Sequence, residues 1–195
     1  MALFAPPLNF ALVSPGVYRS GFPTRHNLGF LQTLGIRTLL RIEDCAYPVE
    51  LQDWIESVGI QVVDCILTPN QEPFFTMDHS IVATALRTAL DRHEHPVLIH
   101  SLRGQQRAGV LVGCLRRLQR WSLAAIFEEY RRYAGPSSSL LDLQYIELFD
   151  LSLAQQQSAA SPRGGDSGIS SGGGQDCPGG EPSSSKKADA AAEPM

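Results

Sequence analysis

The chain has 195 residues, a formal net charge of -4, 43% hydrophobic and 18% charged residues, 17 Gly, 13 Pro and four Cys, which suits one domain and a tail. No uninterrupted apolar run approaches the roughly 20 residues of a membrane-spanning helix, and the near-neutral body lacks the broad basic face of a nucleic-acid binder. The start, Met1-Ala-Leu-Phe-Ala-Pro-Pro7, has neither the basic nor the long apolar region of a secretory signal, and the cysteines at 45, 65, 114 and 177 show no CxxC spacing; reduced thiols, a cytoplasmic setting and no structural zinc are expected.

In chain order, Gly16-Val-Tyr-Arg19 reads as a strand and Asn27 to Leu34 as a helix stopped by Gly35. Arg37-Thr-Leu-Leu-Arg-Ile42 is a second strand, Val49 to Val58 a helix stopped by Gly59, and Gln61-Val-Val-Asp-Cys-Ile66 a third strand. A longer helix is predicted from Asp78 to Arg92, with Ile81, Ala85, Leu86, Ala89 and Leu90 on one face. After the strand Pro96-Val-Leu-Ile-His100 the spacing turns helical: Ala108 to Gln119, then Leu123 to Tyr133 between a Ser122 cap and Gly135, then Leu140 to Phe149. Strands alternating with helices indicate an α/β fold in two or three layers. Phe149 is the last aromatic residue, and from about Gln155 the chain becomes Gly, Ser, Ala, Pro and Gln. A folded domain over 1-150 and a disordered tail over 151-195 follow, because such a composition buries too little apolar surface to offset its ordering entropy. Both lysines, Lys186 and Lys187, lie in that tail, so every basic residue of the body is Arg.

Chemistry concentrates in Pro96-Val-Leu-Ile-His-Ser-Leu-Arg-Gly-Gln-Gln-Arg107. A buried strand enters a seven-residue loop, and Arg107 opens an apolar helix. The backbone N-H groups of Ser101, Leu102, Arg103, Gly104, Gln105, Gln106 and Arg107 can curl around one point in front of the helix dipole, which makes an anion cradle. Gly104 permits a backbone angle that other residues resist, and Arg107 offers a planar fork matching two phosphate oxygens. A short G-x-x-R match by itself also describes an ordinary strand-to-helix connection.

This segment resembles the His-Cys-x-x-Gly-x-x-Arg signature of the cysteine-dependent phosphatases, and more closely that of the plant and fungal atypical dual-specificity phosphatases. The likeness spans about residues 8 to 150 through Asn9-Phe-Ala-Leu-Val13, Val17-Tyr-Arg-Ser-Gly-Phe-Pro23, Phe30-Leu-Gln-Thr-Leu-Gly-Ile36, Tyr47-Pro48, Asn70-Gln-Glu-Pro-Phe74, His95-Pro-Val-Leu-Ile-His100, Val112-Gly-Cys-Leu-Arg-Arg117 and Ile126-Phe-Glu-Glu-Tyr130. It implies a short central sheet of four or five strands flanked by helices, with the phosphate loop between the last strand and the following helix. It also implies action on phosphorylated proteins or on the diphosphates of inositol pyrophosphates, without metal or other cofactor, and a His100 that organises the loop backbone.

The sequence departs from that family where the chemistry is done. The position of the nucleophilic Cys holds Ser101. A thiol, with a pKa normally about 8.5, is converted to thiolate by loop dipoles and the Arg, whereas a hydroxyl in the same field stays protonated. His100 is no rescue, since strand alternation points adjacent side chains to opposite faces, and there is no G-x-S-x-G elbow. Family members usually carry Lys at the positions of Leu102, Gln105 and Gln71, and a Thr or Ser hydroxyl at that of Ala108. A general drift from Lys to Arg would have kept the three charges. The residues therefore favour a pseudophosphatase. The alternatives are an active phosphatase carrying a Cys-to-Ser substitution, or a non-catalytic subunit assembled with related phosphatase-like chains. Candidates for the general acid are Glu72 and Asp78, with Asp64 weaker; Asp78 also suits a helix start, and Glu72 a surface place before Pro73.

His93, His95, Glu94 and Asp91 read as a solvated loop rather than a metal cluster. Arg116, Arg117, Arg120, Arg131 and Arg132 are expected to pair with Glu128, Glu129 and Asp142, with a partner surface as the alternative. Trp54 and Trp121 suit packing, and Cys114 a small buried place.

Overall fold

The computed structural model describes residues 4-71 and 76-155. Five strands, β1 (Ala11–Ser14), β2 (Val17–Ser20), β3 (Thr38–Arg41), β4 (Gln61–Asp64) and β5 (Val97–His100), form one sheet in the order β1-β2-β5-β3-β4. β1 runs antiparallel to β2, and the other neighbours are parallel. Seven helices accompany them: α1 (Leu28–Thr33), α2 (Val49–Val58), α3 (His79–Leu90), α4 (Gln106–Leu118), α5 (Leu123–Ala134), α6 (Leu140–Leu148) and α7 (Ser152–Gln155). None of the described helices is long and apolar enough to cross a membrane.

The period-2 apolar pattern sorts the sheet into two cores. Val97 and Ile99 of β5, with Leu40 of β3, face a large cluster built with α3, α4, α5 and α6, while Leu98 and Leu39 face a smaller one with Leu31, Leu51 and Ile55 from α1 and α2. Every side chain of β5 is buried. A central strand covered on both faces is the mark of a parallel α/β sheet, and its carboxyl end, where strand meets loop, is where such sheets place ligands. The expected α/β class with a flanked sheet of four or five strands is the fold observed.

Three boundaries differ from expectation. β1 carries no strong apolar alternation; of its four residues only Val13 is buried, and its pairing with β2 makes it a strand. α4 begins at Gln106, two residues earlier than Ala108, so the loop is shorter and Arg107 already lies in the first turn. The fold also continues past residue 150, since Leu151, Leu153 and Ala154 pack on the larger core. The expected disorder of the remaining tail concerns residues 156-195, outside those described.

Two of the expected arginine pairings form and one does not. Arg116 grips Glu129 through two bonds of 2.8 and 3.0 Å, donates to the Val13 carbonyl and lies 4.0 Å over the Trp121 ring, and Arg131 meets Glu128 at 3.0 Å. Asp142, expected to take an arginine, instead accepts from Asn70 Nδ2 at 2.7 Å and from the Tyr130 hydroxyl at 2.5 Å, buried between them. The Asn70 amide oxygen in turn accepts from the Met77 N-H at 2.9 Å. This network ties α5, α6 and the segment after β4 together. Asp142→Ala strands the buried Tyr130 hydroxyl and the half-buried Asn70 amide, so a loss of about 2-4 kcal/mol is expected in urea unfolding, against about 1 kcal/mol for Tyr130→Phe.

Candidate phosphate-binding site

Between β5 and α4 the chain makes a tight loop whose carbonyls at 102, 103, 104 and 105 are each taken up by a protein donor. Leu102 O accepts from the Phe22 N-H at 3.1 Å, Arg103 O from Asn9 Nδ2 at 2.8 Å, and Gly104 O from Arg19 at 2.8 Å. Gln105 O accepts from the Gly109 N-H inside the helix start at 2.7 Å. With these acceptors engaged behind the loop, the N-H groups of Arg103, Gln105, Gln106, Arg107 and Ala108 have no protein partner among the described residues. Free N-H groups at a helix start attract an anion. Gly104 sits at φ +67°, and a Cβ there would lie 2.5 Å from the backbone of Ser20 and Gly21, so only glycine lets the loop pack against the end of β2.

The cleft of ≈ 210 Å³ is lined by Glu43, Ser101, Leu102, Arg103, Gln105, Gln106, Arg107 and Ser137. All seven residues predicted for the cradle are thus brought together except Gly104, which forms its back. Arg107 is fixed from two sides: its Nε donates to Leu67 O at 2.9 Å and its NH1 meets Glu43 at 2.5 Å. The other Glu43 oxygen accepts from the Leu102 N-H at 2.9 Å. Glu43, just past β3, therefore orients both the guanidinium and the first turn of the loop. Sequence reasoning missed it; the available signal was a carboxylate at the carboxyl end of the strand beside β5.

Ser101 is 2% exposed, and its Oγ accepts from the Gly104 N-H at 3.0 Å. Among the described residues its hydroxyl is hydrogen-bonded to no His, Asp or Glu side chain. His100 turns the other way, its Nε2 sharing a 2.6 Å hydrogen bond with the Tyr47 hydroxyl, between the rings of Phe22 and Tyr47. The His100 side-chain bond goes to Tyr47, while Asn9, Arg19 and Glu43 bond the loop backbone. Burial pushes the imidazole down to about 3, so it stays neutral and cannot be the cation of the site.

The acid candidates are not assembled here. Asp78 caps α3, accepting from the Ser80 N-H at 2.7 Å and the Ser80 hydroxyl at 2.6 Å, and these bonds hold its carboxyl below the usual range, the opposite of what a proton donor needs. Asp64 is gripped by Arg41 at 2.6 and 2.7 Å on the sheet edge. Neither lines the cleft. Glu72 lies outside the described residues. Elsewhere, His95 bonds Ala89 O, Glu94 accepts from Thr38 and Asp91 from the His93 N-H, which are loop contacts. Cys114 is buried, which pushes its thiol up to about 12.

Comparison with known proteins places this geometry. Residues 4-165 match the tyrosine phosphatase family. The chain belongs to that family. It is 45% identical over 150 residues to the inositol diphosphatase DSP1 of Oryza sativa subsp. japonica, covering 77% of this chain and 68% of the relative. Against the inositol diphosphatase DSP4 of Arabidopsis thaliana the identity is 43% over 150 residues, with coverages of 77% and 76%. The crystal structure of the core catalytic domain of the PP-IP phosphatase SIW14 from S. cerevisiae, in complex with citrate, superposes with a TM-score of 0.74 at 36% identity, over 80% of this chain and 94% of that one. The resemblance to the atypical dual-specificity phosphatases is thereby shown, and the fold is theirs.

Two outcomes follow from the site. Gly104→Ala is expected to cost about 2 kcal/mol or more of stability and to remove the rise in melting temperature that inorganic phosphate produces, both read in one thermal-shift series. The second concerns acid. Between 6.5 and about 3 the unfolded chain binds a proton that the buried His100 refuses, so stability contributed by the neutral ring falls as pH drops through that window. His100→Gln should show a shallower decline of the urea midpoint between about pH 7 and about pH 4.5 than the parent chain.

Proposed function

We propose that this tyrosine phosphatase family member is a pseudophosphatase, holding a phosphoryl group in the 101-107 loop without cleaving it. The observation that carries the reading is Ser101 at the nucleophile position, its hydroxyl hydrogen-bonded to no His, Asp or Glu side chain among the described residues. Attack on phosphorus needs an oxygen relieved of its proton. The Ser101 hydroxyl is engaged with the Gly104 N-H, and its neighbour His100 is turned to Tyr47. The described cysteines are elsewhere: Cys65 and Cys114 are buried, and Cys45 bonds the Glu43 carbonyl rather than lining the cleft. Holding is favoured because Arg107 and the free loop amides remain.

The ligand is better matched to a single phosphomonoester than to a dense polyanion. Arg103 and Arg107 are the cations lining the cleft, Glu43 offsets one of them, and Gln105, Gln106 and Ser137 are neutral. Leu102, 51% exposed, adds an apolar edge. A phosphorylated protein side chain suits that combination. The relatives named inositol diphosphatases support the inositol phosphate alternative.

The test is turnover and binding together. The unsubstituted protein should hydrolyse neither an aryl phosphate nor an inositol pyrophosphate, while binding inorganic phosphate weakly, and Arg107→Ala should abolish that binding. Turnover that disappears in Ser101→Ala overturns the proposal. Ser101→Cys separates it from an active phosphatase bearing a substitution: a feeble revertant is expected, because the hydroxyl at 108 and the charges at 102 and 105 are absent, and full activity would favour the enzyme reading.

A further inference from the structure

From the burial of one guanidinium behind the loop, we infer that Arg19 is a positioning residue of the anion site, setting the direction and field of the loop amides without touching the ligand. The inference rests on reading the 101-107 loop as an anion cradle. Arg19 lies on β2, paired in register with Ile99 of β5, and is 1% exposed. One NH2 reaches Gly104 O at 2.8 Å, with a longer contact of 3.5 Å to Gln105 O. Its guanidinium lies 4.0 Å over the Tyr133 ring of α5. The Nε and NH1 atoms have no hydrogen-bond partner among the described residues.

Such an arrangement is costly for stability alone. A buried cation without a bonded carboxylate forfeits its hydration, and the ring face returns only part of it. Burial lowers the guanidinium to about 10, and the nearby Glu129 is bonded to Arg116, not to Arg19. The group is still charged at neutral pH. What the placement achieves is geometric and electrostatic. In a peptide plane the C=O and the following N-H point in opposite directions, so a carbonyl of Gly104 drawn back by Arg19 sends the Gln105 N-H forward into the cleft. The positive charge sits directly behind that dipole and reinforces it. Arg103 and Arg107 can bind an anion from the front; Arg19 polarises the cradle from the rear, where solvent does not screen it.

A thiol placed at the head of the loop reports that field independently of phosphate binding. In Ser101→Cys, alkylation of the introduced thiol, followed by peptide mass analysis, gives a pH profile. Adding Arg19→Met should slow alkylation about tenfold at about pH 6 and leave the rate at about pH 10 unchanged. Arg19→Lys, which keeps charge but loses the fork, should fall between. In the unsubstituted background Arg19→Met should weaken inorganic phosphate binding about tenfold, with circular dichroism confirming the folded state. A profile identical with and without Arg19, in folded protein, overturns the inference, as does equal slowing at both pH values, which would signal a general structural change. If the unsubstituted chain binds no phosphate while Arg19→Met still moves the thiol profile, the pseudophosphatase reading fails and the role of Arg19 stands.

Discussion

The site depends on one constraint: the carbonyls of residues 102-105 must point away from the cleft. A strand-to-helix loop left to itself would turn some of them toward its own helix, since helix-start N-H groups otherwise lack partners. Here the segment from Asn9 to Phe22 supplies competing donors from behind, a backbone N-H, an amide and a guanidinium. The antiparallel β1-β2 hairpin at the sheet edge and the residues flanking it thus support the candidate site although they contribute nothing to the cleft lining. Gly104 allows the close approach that makes those bonds short.

On the front side, Glu43 and the Leu67 carbonyl do for Arg107 what the hairpin does for the loop. Each comes from the carboxyl end of the sheet, after β3 and after β4, so the parallel topology delivers both to the mouth of β5. The network of Asn70, Asp142 and Tyr130 then fixes the continuation of the Leu67 segment against α5 and α6. Preorganisation of this kind keeps an anion seat in shape whether or not chemistry follows.

Much of this was legible along the chain. Four of the strands, six of the helices and the cradle residues are local patterns: short β-branched or apolar runs, period 3.6, a Gly and an Arg at set spacing. Less legible were β1, whose pairing and not its pattern makes it a strand, and the roles of Glu43, Arg19 and Asn9. Those three lie 58, 82 and 92 residues from Ser101 in the numbering, and no local spacing connects them to it. Asp78 shows the converse, a carboxylate whose spacing suited both an acid and a helix start, and which caps α3.

The amino-acid sequence by itself determined a serine at position 101, the α/β alternation and a 101-107 loop with arginine but no lysine, because each is a matter of residue identity or short-range period. The tertiary structure decided which groups hold the loop open, which carboxylate fixes Arg107, and that His100 answers to Tyr47 instead of Ser101. Hydrogen bonds across the sheet are set by strand order and register, and those become definite only when β5 is buried between β2 and β3.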